Sequence, residues 1–369
     1  MGQQTDLPPQ IHRIEAAVLR RKGGPLRIET LELEGPRDDE VLVRLAGTGI
    51  CHTDIDFCDY WSAADGPLLL GHEGAGVVEQ VGAAVQGIRP GDHVVLSYHS
   101  CGHCLQCLAG RPNRCDHFYE ANFGFARLDG SNALEHSGVR GHFFGQSSFA
   151  THSLATDRSV VKVADDLPLA LLAPLGCGLQ TGAGTVLNSL AAGTGQSIAI
   201  FGTGAVGLAA VMAAAVAGAS PIIGVDINPL RLTLAAQLGA THVINSSREE
   251  ADKRIRAITG KGVDFVVDTT GSPRMLRLAM DVLNPQGTVA LIAGGSGPGE
   301  LSAGRKTIGI IQGDAVPQRF IPQLIELYRA GSFPFDRLVR FYDFQEINQA
   351  MADAKQGRTI KPVLRFSGD

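Results

Sequence analysis

The chain has 369 residues, more than one ordinary hydrophobic core holds, so two domains are expected. Hydrophobic residues make up 44% and charged residues 19%, which is typical of a globular enzyme, and no apolar run reaches the roughly 18–20 residues of a membrane span. The net charge is −5 and no basic stripe is present, which argues against a nucleic-acid partner. The N-terminal sequence MGQQTDLPPQ has no charged start followed by an apolar run, so a cytoplasmic location is predicted.

The first part of the chain has the alternating pattern of antiparallel strands. Short apolar and polar runs alternate over residues 11–46, and β-rich segments follow at 76–82 and 91–97. From about residue 178, buried-strand runs alternate with helical stretches, which predicts a parallel, doubly wound sheet. The strand runs are 196–202, 220–226, 241–245, 263–268 and 287–294, and the helical stretches are 204–218, 229–239, 248–259 and 273–283.

The last part of the chain is expected to rejoin the first domain. Helices are predicted near 317–330 and 344–355, before a final strand at 360–366. The predicted fold class is therefore α/β, with a β-rich domain and a doubly wound parallel-sheet domain. The predicted division is a catalytic domain over 1–177, a nucleotide-binding domain over 178–311, and a return to the catalytic domain over 312–369.

Four of the seven cysteines lie in one short segment, CGHCLQCLAGRPNRC. An odd cysteine count argues against a complete disulfide framework, whereas C-x2-C-x2-C-x7-C spacing suits one tetrahedral structural Zn²⁺. The predicted ligands are Cys101, Cys104, Cys107 and Cys115. An iron–sulfur cluster is the alternative, but its fourth cysteine normally comes sooner and precedes a proline, whereas Asp116 follows here. A zinc ribbon that binds nucleic acid is disfavoured by the small number of cations in the loop.

A glycine-rich turn marks a nucleotide site. Gly202, Gly204 and Gly207 form G-x-G-x-x-G between a buried strand run and an apolar helical stretch, the context in which this motif cradles a pyrophosphate. The next strand ends at Asp226, where a carboxylate accepts hydrogen bonds from ribose hydroxyls and repels a 2′-phosphate. The pattern favours NAD over NADP. A tight turn with a solvated Asp is the alternative.

Residues of metal-binding type also occur outside the four-cysteine loop. Cys51 lies in GICHTD, His72 and Glu73 lie in GHEGAG, and Cys177 lies in GCG. Two thiolates and one imidazole suit a catalytic zinc site with an open fourth position. Spacing alone does not join these residues.

From about residue 11 to its end, the chain resembles the zinc-dependent medium-chain alcohol dehydrogenases. The resemblance rests on GICHTD, GHEGAG, GDHVV, the four-cysteine loop, GCG, GTGAVG and GVDIN, in the order and approximate spacing of that family. It implies a GroES-like catalytic domain and a Rossmann domain, with two zinc ions per chain. It also implies hydride transfer from an alcohol to NAD, which leaves an aldehyde.

The resemblance assigns roles to individual residues. Cys51, His72 and Cys177 correspond to the catalytic zinc ligands, and Asp54 and Glu73 to carboxylates behind them. Asp54 is expected to accept the second ring N–H of His72 and so orient the ring.

Proton release and cofactor binding involve further positions. Thr53 corresponds to the first hydroxyl of the proton exit, and Asp56 stands where the family has a histidine, so the relay continues through Asp56, water or His52. His52 and Lys361 match cationic positions toward the pyrophosphate, with ordinary surface cations as the alternative. Ile227 and Arg231 are also assigned to the cofactor site.

The substrate prediction rests on aromatic residues. The segments 58–66 and 141–152 are most similar to the aryl-alcohol branch of the family, which assigns a small aromatic or allylic alcohol as substrate. The predicted pocket residues are Tyr60, Trp61, Phe143 and Phe144, with core packing as the alternative role.

Other functions are weighed against this one. A glutathione-dependent formaldehyde dehydrogenase normally has an arginine soon after the fourth loop cysteine, whereas none precedes Arg127 here. A general aliphatic alcohol dehydrogenase is a second alternative. A zinc-free quinone reductase or a non-catalytic relative typically lacks these metal ligands, whereas all seven metal positions are filled here. A pure binding module is the remaining class. A homodimer without membrane contact is expected, with a homotetramer as the alternative.

Overall fold

The structure is a computed structural model that describes residues 10–61, 66–292 and 304–366. Three parts of the sequence predictions lie outside the described residues: residues 1–9 at the N-terminus, residues 62–65 of the segment 58–66, and residues 293–294 of the predicted strand 287–294. The chain divides into two compact units, Met1–Gly176 with Val339–Asp369, and Cys177–Leu338.

Strands and helices occur in the predicted order. The strands are β1 (Ile11–Leu19), β2 (Leu26–Glu34), β3 (Glu40–Gly49), β4 (Leu68–Leu69), β5 (Gly74–Val81), β6 (His93–Leu96), β7 (His152–Thr156), β8 (Val160–Lys162), β9 (Ile198–Phe201), β10 (Ile222–Asp226), β11 (His242–Asn245), β12 (Val263–Asp268), β13 (Leu283–Leu291), β14 (Lys306–Gly309), β15 (Val339–Asp343) and β16 (Lys361–Arg365). The helices are α1 (His52–Tyr60), α2 (Leu105–Leu108), α3 (Phe118–Phe123), α4 (Leu169–Leu172), α5 (Gly178–Gly184), α6 (Ala205–Val216), α7 (Pro229–Gln237), α8 (Ala251–Thr259), α9 (Pro273–Val282), α10 (Pro317–Arg329) and α11 (Ile347–Lys355).

The first unit is built on two sheets. One has the order β15-β16-β3-β5-β6-β8 with β7 also paired to β3, and the other has the order β2-β1-β4. All of these strand pairs are antiparallel except β15 with β16. Nearly every side chain of β3 is buried, so this central strand has an almost continuous apolar sequence instead of an alternating one.

The register of the first unit brings three chain segments to one edge of the sheet. Thr48 of β3 pairs with Gly74 of β5, and Gly49 pairs with Val363 of β16. The residues just after β3, just before β5 and at the start of β16 therefore meet. These are the segments that carry Cys51, His72 and Lys361.

The second unit contains a six-stranded parallel sheet in the order β11-β10-β9-β12-β13-β14. The apolar strand β9 is fully buried, and its neighbours β10 and β12 lie on opposite sides of it. The strand order therefore reverses at the carboxyl end of β9, the usual position of a ligand in such sheets. The α/β prediction with a doubly wound parallel sheet is confirmed.

The boundary of the second unit differs from the predicted one at residues 312–338. These residues belong to the second unit, and the chain returns to the first only at Val339. A side chain at Gly184 of α5 would lie 2.4 Å from the Gly313 carbonyl oxygen, so this segment packs closely on α5. The amphipathic helix α10 could cover either unit, and its sequence does not say which.

No single helix in the described ranges is long and apolar enough to cross a membrane, although one bent pair of short helices passes the same test of length and composition when the two are joined.

Candidate functional site

One buried carboxylate organises the edge of the first unit. Asp54 accepts a hydrogen bond from the Cys51 backbone N–H at 2.9 Å through Oδ2. Its Oδ1 accepts from the Gly71 N–H at 3.1 Å and lies 2.9 Å from His72 Nδ1. Because the ionised carboxylate only accepts, Nδ1 donates to it, so in the neutral ring the lone pair of His72 is on Nε2. The predicted contact between Asp54 and His72 is thus present in the structure.

The other nitrogen of His72 fits a metal ion. His72 Nε2 is buried and has no hydrogen-bond partner among the described residues. The ligand atoms of Cys51, His72 and Glu73 lie within 4.8 Å of one another. Burial alone would lower the pKa of His72, but the Asp54 carboxylate outweighs it and raises the pKa to about 10. A metal ion requires the neutral ring, so its binding would displace a proton.

Cys177 begins the second unit, directly after Gly176. The Gly176 carbonyl accepts a hydrogen bond from Ser97 Oγ at 2.7 Å, which fixes the chain just before the cysteine. The Cys177 side chain is buried, and Gln312 Nε2 lies 3.5 Å from its sulfur. Its role as third zinc ligand stays a prediction.

Glu73 is paired with a buried lysine. Lys361 is 2% exposed, and its Nζ donates to both Glu73 oxygens at 2.9 Å and to the Ile50 carbonyl at 3.1 Å. These three acceptors match the three N–H groups of an ammonium. A side chain at Gly49 would come within 2.0 Å of Glu73 Oε2, so the pair also requires glycine there. The predicted contact of Lys361 with the pyrophosphate would need the ammonium to leave these partners.

Helix α1 begins at the site and carries the predicted relay. Thr53 is half-buried, and its Oγ1 lies 3.9 Å from Cys51 Sγ. His52 and Asp56 are both exposed on the same helix. Partial burial raises the pKa of Asp56, while the nearby His52 opposes the shift. A raised pKa makes the carboxylate a better proton acceptor near neutral pH.

The four loop cysteines form a compact cluster. Their ligand atoms lie within 4.8 Å of one another, and none of the seven cysteines, all of which lie in the described ranges, forms a disulfide. Cys104 Sγ lies 3.9 Å from Cys115 Sγ, too far for a disulfide and close to the edge of about 3.8 Å that tetrahedral zinc–sulfur bonds imply. Backbone N–H groups of Asp116 and Cys107 point at Cys104 Sγ and lower the pKa of this thiol to about 6. The donor set fits zinc.

The four predicted pocket aromatics have different environments. Phe143 and Phe144 are buried, with ring centroids 5.5 and 4.6 Å from the His72 ring. Trp61 is buried and donates through Nε1 to the Gly66 carbonyl at 2.8 Å, whereas Tyr60 is 80% exposed. Complete burial of Phe143 favours the core-packing alternative for this residue.

Three aromatic residues of this cluster were missed in the sequence. Phe57, Phe123 and Phe125 surround Phe143, with centroid distances of 4.8, 6.0 and 5.3 Å. The aromatic-rich stretch FYEANFGF over 118–125 is the signal that could have found two of them. Together these rings form an apolar wall beside His72.

The nucleotide turn of the second unit has the predicted form. Gly202 has φ of 84°, and a side chain at Gly207 would meet the Gly202 carbonyl oxygen at 1.9 Å, so both positions require glycine. Asp226 lies at the end of β10, beside the end of β9. Ile227 is exposed, and the buried Nε of Arg231 has no hydrogen-bond partner among the described residues. Their roles in cofactor binding stay predictions.

Comparisons with known proteins identify the family. Residues 37–165 match the alcohol dehydrogenase GroES-like domain, and residues 205–325 match the zinc-binding dehydrogenase domain. The chain is 47% identical to a geraniol dehydrogenase of Castellaniella defragrans over 95% of its length and 97% of that protein. The chain therefore belongs to the zinc-binding alcohol dehydrogenase family, and it is an alcohol dehydrogenase with a GroES-like and a Rossmann-like domain.

Solved structures agree with this assignment. An alcohol dehydrogenase zinc-binding domain protein from Burkholderia ambifaria is 49% identical, with a TM-score of 0.93 over 97% of this chain and all of that one. A benzyl alcohol dehydrogenase from Acinetobacter calcoaceticus is 44% identical, with a TM-score of 0.92 over 96% of this chain and all of that one.

The Lys361–Glu73 pair gives a stability prediction. Lys361→Met should lower the free energy of unfolding by about 3–5 kcal/mol, because it leaves a buried carboxylate without its counter-ion. The double variant Glu73→Gln/Lys361→Met should recover most of this loss. Lys355→Met, which removes a cation from the more exposed pair with Asp59, is the control and should change little. Urea denaturation measures all of them, and a loss below about 1 kcal/mol for Lys361→Met would contradict the assigned pairing.

Proposed function

We propose that this alcohol dehydrogenase oxidises primary aromatic or allylic alcohols to aldehydes, reversibly, with NAD as hydride acceptor and two zinc ions per chain. The observation that carries the proposal is the buried His72 Nε2, which has no hydrogen-bond partner in the part of the chain that the structure describes, lies within 4.8 Å of the Cys51 thiol and is oriented by Asp54. When bound, zinc supplies the Lewis acidity that eases loss of the alcohol proton, and NAD takes the hydride. Cys51, His72 and Cys177 would hold the catalytic ion, and the four loop cysteines the structural one.

The chain's own residues then have separate tasks. Asp54 keeps His72 in the tautomer and orientation that a ligand needs. Thr53 provides the hydroxyl beside Cys51 that accepts the alcohol proton, and exposed Asp56 offers the next acceptor on the same helix. Asp226 would accept hydrogen bonds from the ribose and repel a 2′-phosphate. One hydride and one proton leave the alcohol in each turnover.

The substrate class rests on two kinds of support. The Phe144 ring, with its centroid 4.6 Å from the His72 ring, suits a flat, apolar group next to the carbinol carbon. Two similar proteins are named for geraniol and for benzyl alcohol, and both of these alcohols have an unsaturated carbon next to the carbinol carbon. A formaldehyde dehydrogenase that uses glutathione is less favoured, because Arg127 is 8% exposed and is paired with Glu40 and Glu34. A homodimer in the cytoplasm remains our expectation.

Initial rates with a panel of alcohols test the substrate and the cofactor together. With NAD, kcat/KM should be higher for benzyl, cinnamyl and geranyl alcohols than for ethanol, and NADP should support little turnover. Asp226→Ala should narrow the preference for NAD by weakening NAD binding and relieving the repulsion of the 2′-phosphate. Asp226→Asn, which keeps the shape without the charge, separates these two effects. Equal rates with NAD and NADP in the wild type would contradict the role of Asp226, and a preference for ethanol would contradict the substrate class.

Metal analysis tests the two zinc sites. Elemental analysis should find two zinc ions and no iron per chain. Cys51→Ala should keep one zinc ion and the fold but lose turnover, because it removes a ligand of the catalytic ion only. Cys104→Ala should lower the melting temperature, because a closed site contributes folding free energy. Cys58→Ala, at the one cysteine outside both sets, is the control for zinc content. One zinc ion per chain in the wild type would rule out the assignment of two zinc sites.

The proton path is tested on helix α1. Thr53→Val should lower kcat by roughly 10²- to 10⁴-fold, the usual contribution of a positioned proton transfer, and Thr53→Ser should restore most of it. If Asp56 is the next acceptor, Asp56→Asn should slow alcohol oxidation most at low pH, where hydroxide cannot replace it. The pH profile and the solvent isotope effect measure this. If Asp56→Asn has an unchanged pH profile and solvent isotope effect, the proton leaves through His52 or ordered water instead.

A further inference from the structure

Four donors hold the Asp226 carboxylate. Its Oδ2 accepts from the Thr203 N–H at 2.7 Å and from the Thr203 hydroxyl at 3.0 Å. Its Oδ1 accepts from the N–H groups of Ile227 at 2.7 Å and Asn228 at 2.9 Å. Because each oxygen has two donors, the plane of the carboxylate is fixed.

Thr203 differs from the other donors. The three N–H groups belong to the backbone and would be present with almost any side chain. Among the described residues, the Thr203 hydroxyl is the one side-chain donor to Asp226. Thr203 lies between Gly202 and Gly204 and is fully buried. The glycine motif itself does not specify a residue at this position.

The two branches of the Thr203 side chain face different partners. A Cβ atom built on Gly224 of β10 would lie 3.4 Å from Thr203 Cγ2, so this methyl lies directly over the strand that leads to Asp226. A β-branched side chain has few χ1 choices, and in the one adopted here the methyl faces β10 while the hydroxyl reaches Asp226. The hydroxyl is therefore aimed at Asp226 before any ligand binds.

We infer that Thr203 is the positioning residue for ribose recognition, because it orients the Asp226 carboxylate toward the adenosine ribose hydroxyls. The inference rests on the proposed use of NAD. Two neighbouring hydroxyls bind a carboxylate well only when its oxygens face them, so the orientation of the plane governs affinity. Thr203 acts on this orientation and leaves the charge of Asp226 in place. Loss of Thr203 and loss of Asp226 should consequently have different effects.

Adenine nucleotides provide the test. The wild type should bind AMP more tightly than 2′-deoxy-AMP, because the 2′-hydroxyl donates to Asp226. In Thr203→Val, AMP affinity should fall roughly tenfold, as expected for a hydrogen bond to a charged group, while the affinity for 2′-deoxy-AMP, which keeps only the 3′-hydroxyl, should fall less. NADPH should still be rejected, because the carboxylate remains ionised, whereas Asp226→Ala should admit it. Thr203→Ser should keep AMP affinity within about twofold.

Controls separate positioning from folding. Thr233→Val, which removes an exposed hydroxyl bonded to the Pro229 carbonyl in the same unit, should leave both nucleotide affinities unchanged. If Thr203→Val does not fold, Thr203→Ala removes the same hydroxyl and is measured in its place. Isothermal titration gives the affinities, NADH fluorescence reports cofactor binding, and thermal melting reports folding.

The outcomes are distinct. An AMP preference that survives in Thr203→Val, or an equal loss of both nucleotides with a lower melting temperature, would overturn the positioning role. Failure of the wild type to bind either NADH or AMP would instead overturn the proposed cofactor, and the inference with it. Selective loss of the AMP preference, with Thr203→Ser close to wild type, supports the role.

Discussion

The hydrogen bonds of Asp54 are the constraint on which the rest of the first unit's site depends. One carboxylate holds the backbone of Cys51, the backbone of Gly71 and the ring of His72. It thereby connects the start of α1 to the segment before β5. It also occupies Nδ1 of His72, so Nε2 is the nitrogen that remains for a ligand. The pairing of β3 with β5 and the bonds of Lys361 to Ile50 and Glu73 also connect these segments, but they do not set the orientation of the His72 ring.

Buried charge around this carboxylate is balanced locally. Asp54 is satisfied by donors from two segments, and Glu73 is neutralised by Lys361, which the chain supplies from β16 almost 300 positions later. A site that binds a cation needs negative groups, and those groups are tolerated in the interior only when donors and counter-ions surround them. The late return of the chain to the first unit is thus part of the site.

In the second unit, too, several hydrogen bonds orient one carboxylate. Asp226, like Asp54, is a carboxylate at a segment end whose oxygens are held by several donors. In the function we propose, the hydrogen bonds of Asp54 orient a ligand of a metal ion, and those of Asp226 orient an acceptor for hydroxyl groups. In both places the sequence signal was the carboxylate, and of its donors only the His72 ring was predicted, whereas the backbone N–H groups and the Thr203 hydroxyl became visible only in the structure.

The sequence alone determined the order of elements, the four-cysteine loop and the glycine turn, because each depends on residues close in the chain with fixed spacing. The contact between Asp54 and His72 was also predictable, from the resemblance of GICHTD and GHEGAG to one family. Only the tertiary structure decided that Lys361 pairs with Glu73, that Phe143 packs in a closed aromatic cluster, and that residues 312–338 belong with the second unit. These features depend on which surfaces meet across long separations in sequence, where a lysine, a phenylalanine or an amphipathic helix is compatible with several partners.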